Sequence, residues 1–89
     1  MALYSIEWKK SARKELRKLE KSAIPRVLEV VKSLIYDPYP AGSRKLQCSE
    51  HLYRVRIGDY RVVYSVKNEV LLIEVIRVGH RKDIYRNLI

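Results

Sequence analysis

Hydrophobic and polar positions follow one period in the first half of this chain and another in the second. Leu3, Tyr4, Ser5, Ile6 and Glu7 alternate, which predicts a short strand. Trp8, Ala12, Leu16 and Leu19 then recur at helical spacing, an apolar stripe that needs a core to face. A second helix is predicted after Ser22, a suitable N-cap, with Pro25 in a first turn where its missing N–H costs no bond. Its apolar face is Ile24, Val27, Leu28, Val31, Leu34 and Ile35. Asp37-Pro38 and Pro40 end it, since proline restricts its predecessor and cannot continue the ladder. So short a connection between the helices predicts an antiparallel hairpin of the two. Tyr36 to Glu50, with two prolines and Gly42, reads as loop.

From Leu52 the period is two. Leu52 to Ile57 is a strand, Gly58-Asp59 a two-residue turn, and Tyr60 to Val66 the returning strand. Lys67-Asn68-Glu69 reads as a second turn and Val70 to Val78 as a third strand, broken by Gly79. His80 to Ile89 reads as a short terminal helix. The fold class is α+β: an N-terminal strand, a two-helix hairpin, and an antiparallel meander with the helices packed on one face. Without linker, repeat or low-complexity segment, residues 1–89 form a single domain.

The two-residue turn assigns side chains to faces. It sets Ile57 opposite Tyr60, Arg56 opposite Arg61 and Val55 opposite Val62, and opposite residues share a face. Tyr53, Val55, Ile57, Tyr60, Val62 and Tyr64 then form the core face, and Arg54, Arg56, Arg61 and Val63 the other. Like charges facing one another destabilise a sheet, so folding alone gives no reason to set Arg56 across from Arg61. A multiply charged anion does, because guanidinium forks match phosphate oxygens bidentately. The competing reading is a face kept soluble by arginine, with Glu74 of the next strand as counterion. In a helix Arg81 and Tyr85, four residues apart, share one face and suit a nucleotide, the phosphate on Arg81 and the base stacked on Tyr85; the competing reading is a frayed amphipathic terminus whose Ile84, Leu88 and Ile89 cover the core edge.

Charge adds to this picture. Nineteen Lys and Arg against ten Asp and Glu give a formal charge of +9 on 89 residues, which favours a polyanionic partner. Lys10, Arg13, Lys14, Arg17 and Lys18 recur at helical spacing opposite the apolar stripe, either as a solvated face or as a wider electrostatic footprint. The single Cys48 allows no internal disulfide and fits a reducing compartment. With His51 and His80 it makes no tetrahedral metal site. No Gly-rich phosphate loop and no membrane-length apolar run is present, so neither metal nor cofactor is expected and the location is cytoplasmic. The chain also lacks an activated nucleophile, but RNA brings its own in the 2′-hydroxyl beside the phosphate. Cleavage then needs in-line positioning, cations on the phosphorane, and proton transfer.

The segments YRVRIGDYRVVY (53–64) and VGHRKDIY (78–85) together resemble the RelE/ParE toxin superfamily, on the RelE side, and the element order extends that resemblance over nearly the whole chain. It implies a type II toxin that cleaves messenger RNA in the ribosomal A site and is held inactive by a RelB-like antitoxin. Operator DNA would be touched only through the antitoxin complex. Carried over by position, Arg54 and Arg56 stand where such toxins place two basic residues, often lysines. Arg61 matches the phosphate-binding arginine, Arg81 one that stabilises the transition state or protonates the leaving group, and Tyr85 the stacking aromatic. The chain departs from the family where arginine replaces a lysine that can act as base; His51 is then an auxiliary candidate. Lys45 and Lys82 join the helix stripe in contacting RNA. Two other functions stay open: a ParE-like gyrase inhibitor and a non-catalytic RNA-binding module.

Overall fold

The computed structural model describes residues 3–47 and 51–84. In chain order these form β1 (Ser5–Trp8), α1 (Lys10–Lys18), α2 (Ala23–Ser33), β2 (Arg44–Lys45), β3 (Leu52–Ile57), β4 (Tyr60–Lys67) and β5 (Leu72–His80). The strands make one sheet in the order β1-β5-β4-β3-β2. All neighbours run antiparallel except β1, which lies parallel to β5 with Ile6 beside Ile73 and Trp8 beside Val75. This is an α+β fold, as the change of period predicts.

Both helices cover one face. Ala12 of α1 and Val27, Val31 and Leu34 from α2 and its C-cap are buried against Val55, Ile57, Val62, Tyr64, Val66, Ile73, Val75 and Val78. Burial of these apolar side chains supplies the main drive to fold, at roughly 25 cal/mol per Å² of apolar surface. The predicted α2 face is narrower than its sequence pattern: Leu28 is exposed, because the buried row runs Ala23, Val27, Val31, Leu34. Trp8 closes β1 rather than opening α1, and Ser22, in αR geometry, makes no side-chain cap. Pro25 sits in the first turn of α2, where no intrahelical acceptor is lost.

Three loops position the arginine-bearing strands. The 58–59 turn has φ +59 at Gly58 and no positive φ at Asp59, the pattern of a tight hairpin with glycine first. The next turn is four residues long, 68–71, rather than three, so β5 begins at Leu72; Leu71 takes φ +50 there, which a bulky side chain seldom adopts. The long connection is not wholly loop, because Arg44–Lys45 pairs with β3. Tyr64 anchors that connection from below. Its ring is fully buried and its hydroxyl donates to the Pro38 carbonyl at 2.7 Å. Burial pushes this phenol up to about 12.

After β5 the chain turns: the N–H groups of Asp83 and Ile84 both donate to the His80 carbonyl, and Ile84 is buried. Gly79 therefore does not break the strand and no helix opens at His80, because β5 runs through both and residues 81–84 form a turn. The rest of that expected helix, Tyr85 included, lies outside the described residues, as does Cys48. No helix among the described residues is long and apolar enough to cross a membrane.

Candidate phosphate-binding face

The face of the sheet turned away from the helices carries the arginines. The register of β3 and β4 sets Arg56 directly opposite Arg61 and Arg54 opposite Val63, as the two-residue turn requires. A like-charged pair at such positions costs a few tenths to about 1 kcal/mol. Nothing in the fold offsets that cost: among the described residues neither Arg56 nor Arg61 has a carboxylate within ion-pair reach. Glu74 does lie on this face, opposite Ser65, yet it pairs with no arginine there.

Arg61 is held in place rather than neutralised. It is only 9% exposed, and its Nη1 donates to the carbonyls of Gly58 at 2.8 Å and Tyr60 at 2.9 Å. One acceptor belongs to the hairpin turn and the other to the first residue of β4, so this end of the hairpin fixes one edge of the guanidinium. The backbone N–H of Arg81 donates to the Asp59 carbonyl at 2.8 Å, in the same turn. One two-residue turn therefore carries Arg61 on its first carbonyl and Arg81 on its second. The Arg81 Nε lies 3.9 Å from Asp59 Oδ1, with both side chains more than half exposed, a contact too loose and too wet to hold the arginine away from a ligand. Gly79, opposite Arg61 on β5, adds no side chain over it.

Arg54 is 8% exposed, with its Nη1 3.5 Å from the Gly42 carbonyl. Arg56 is exposed. The fixed donor of this face is Arg61, and a donor already held in place suits a phosphate, because it needs no reorganisation when charge develops on the oxygens.

Other residues singled out from the sequence are placed elsewhere. His51 lies opposite the far end of β4, its carbonyl accepting from Val66 N–H. Five residues of strand, roughly 17 Å, separate it from the Arg56–Arg61 pair. Lys45 pairs with Tyr53, so it points to the helix side of the sheet. The exposed residues of α1 lie on that side as well. Lys14 and Lys18 border a shallow cleft along the β5 edge with Arg77, whereas Arg13 and Arg17 border another beside Leu28; Lys10 is exposed. Lys82 is exposed in the terminal turn, its N–H donating to His80 Nδ1.

Two further arginines join this region without being announced by the sequence pattern. Arg44 stands opposite Arg54, hence on the arginine face. Arg26 of α2 lies against the hairpin turn, where a Cβ on Gly58 would come within 2.9 Å of its Nη2. Neither carries a signal, because a two-residue strand shows no period and an exposed helix arginine resembles any other.

Comparison with known proteins adds the remaining observations. Residues 6–85 match the family described as the ParE toxin of the type II toxin–antitoxin system parDE. Toxin RelE of Mycobacterium tuberculosis is 32% identical over 84 residues, covering 93% of this chain and 87% of that protein. Among solved structures, the RelE–RelB complex of Pyrococcus horikoshii superposes with a TM-score of 0.80 at 34% identity, covering 91% of this chain and 98% of that one. The toxin–antitoxin complex RelBE2 of M. tuberculosis gives 0.78 at 26% identity, covering 90% of this chain and all of its counterpart.

Proposed function

Because this chain belongs to the family of ParE toxins of type II toxin–antitoxin systems, and its relatives there carry the name RelE, we propose that it is an endoribonuclease cleaving messenger RNA in the ribosomal A site. At the coarser level it is a toxin of a RelBE-type toxin–antitoxin system. The observation that supports the finer reading is the Gly58-Asp59 turn, whose carbonyls accept from the Arg61 guanidinium and the Arg81 backbone N–H and whose register sets Arg56 across from Arg61.

The reaction is attack by the RNA 2′-oxygen on the neighbouring phosphorus. The new 2′-O–P bond forms the 2′,3′-cyclic phosphate as the P–O5′ bond breaks; the 2′-hydroxyl gives its proton to water, and the departing 5′-oxygen of the next nucleotide takes one up from water. Arg61, with Nη1 fixed by backbone carbonyls, grips a non-bridging oxygen through its remaining N–H groups; Arg56 shares the charge that accumulates on the phosphorane. Arg81, exposed, held through its backbone and only loosely paired with Asp59, reaches the leaving oxygen. Tyr85 stacks on a flanking base. Guanidiniums do not take the proton of the 2′-hydroxyl, so catalysis here is mainly positioning and charge stabilisation. The inhibitor is a RelB-like antitoxin, an acidic and partly disordered chain that folds over the arginines. That antitoxin, not this chain, supplies contacts to operator DNA.

The matched family also supports a second reading, a gyrase-directed toxin without nuclease chemistry. Mapping the 5′ ends of messages after brief expression, with and without translation, separates the two. New ends inside translated codons, lost when translation is blocked, are expected. Arrest of DNA synthesis before protein synthesis, with no new ends, would overturn the proposal in favour of the rival.

A further inference from the structure

The arginine face extends one strand beyond the Arg56–Arg61 pair. β2 is the last strand on its side of the sheet, and its register sets Arg44 directly opposite Arg54. Two rungs of like charge therefore lie on one face, Arg56 with Arg61 and Arg44 with Arg54. They are two residues apart along β3, roughly 6.6 Å. Each rung opposes cation to cation, and among the described residues Arg44 forms no ion pair.

A single phosphate would be served by the first rung alone. A second rung at strand pitch on the same face fits the next linkage of the same polynucleotide. We infer that Arg44, with Arg54, forms a second phosphate subsite that grips the linkage adjoining the scissile one. The RNA strand then runs along β3 from the hairpin turn toward β2. This rests on the endoribonuclease reading and deepens it. The adjoining Lys45, on the opposite face, takes no part in this subsite.

The test couples a protein change to a substrate change. Ribosomes are programmed with short messages in which one linkage, directly 5′ or directly 3′ of the cleavage site, is an uncharged methylphosphonate. Single-turnover cleavage is measured for the wild type, for Arg44→Ala and for Lys32→Ala, which removes the same charge from the helix layer. Arg44→Ala should lower kcat/KM about tenfold on the all-phosphate message. On one of the two neutral-linkage messages it should cause no further loss. Losses that multiply on both messages, or an equal loss in Lys32→Ala, would overturn the subsite.

If the wild type does not cleave at all, the endoribonuclease reading fails, and binding of single-stranded RNA decides about Arg44. The slope of log affinity against log salt should then fall by about 0.7 in Arg44→Ala relative to Lys32→Ala. An unchanged slope sinks the subsite in that case as well.

Discussion

Arg77 and Arg61 stand on neighbouring strands and on one face of the same sheet, and they have opposite fates. Arg77, opposite Val63, is enclosed by the fold. Its Nη2 donates to Glu15 Oε2 at 2.9 Å and its Nη1 to the Ile84 carbonyl at 2.9 Å, while Glu15 Oε1 accepts from the Val78 N–H at the open edge of β5. One carboxylate thus neutralises an arginine and caps a strand edge that β1 is too short to cover. Arg61 is as well fixed, but by carbonyls, and among the described residues no carboxylate balances its charge. An arginine whose charge and hydrogen bonds are satisfied within the chain contributes to stability. One that is oriented but not neutralised is prepared for an external anion.

The most direct way to break this comparison is to remove Arg61. Loss of a fixed donor to a developing oxyanion costs about 10²–10³ in rate. Arg61→Ala is therefore expected to slow single-turnover cleavage by that factor and to relieve toxicity. Its unfolding free energy should fall by roughly 1–2 kcal/mol, leaving the protein folded, because relief of repulsion from Arg56 offsets only part of the two lost bonds to carbonyls. A folded Arg61→Ala that still arrests growth would place the chemistry elsewhere.

Glu15 sharpens the other arm. In Glu15→Ala, Arg77 loses its counterion and the Val78 N–H its acceptor, at a contact where the two side chains are only 21% and 27% exposed. A loss of about 2 kcal/mol in unfolding free energy is expected, read by urea denaturation. The rate of cleavage per folded molecule should hold. A fall in that rate without a fall in stability would mean that Glu15 and Arg77 belong to the reaction.

How much of the fold and of the arginine face is legible in the sequence depends on local constraint. The Gly58-Asp59 turn admits one register, so the Arg56–Arg61 pairing follows from two residues of sequence and the parity of strands. The pairing of β1 with β5 joins segments more than sixty residues apart, and no local pattern encodes it. Val70 and Leu71 look like strand because they are apolar. They sit instead in the turn, exposed, with Leu71 in left-handed backbone and no glycine or proline to announce it. Ser22 offers a cap by type, but its backbone is already helical, so its hydroxyl is not set to receive the first free N–H groups. Arg44 is invisible because two residues of edge strand within a loop show no alternation. The candidate centre is thus readable where a tight turn fixes geometry, and unreadable where distant segments meet.

The smallest expected effect tests the premise beneath the comparison, that opposed arginines cost stability for the sake of a ligand. In Arg56→Thr a β-branched residue replaces an exposed cation facing Arg61, which removes repulsion and suits the strand. Unfolding free energy should rise by a few tenths to about 1 kcal/mol at low ionic strength. The gain should shrink as salt screens the wild-type repulsion. Cleavage should fall at the same time, so stability and activity move in opposite directions at one position. Equal stability of the two proteins at low salt would show that Arg56 and Arg61 do not repel. Retention of the pair for an anion would then have no energetic basis, whatever became of the activity.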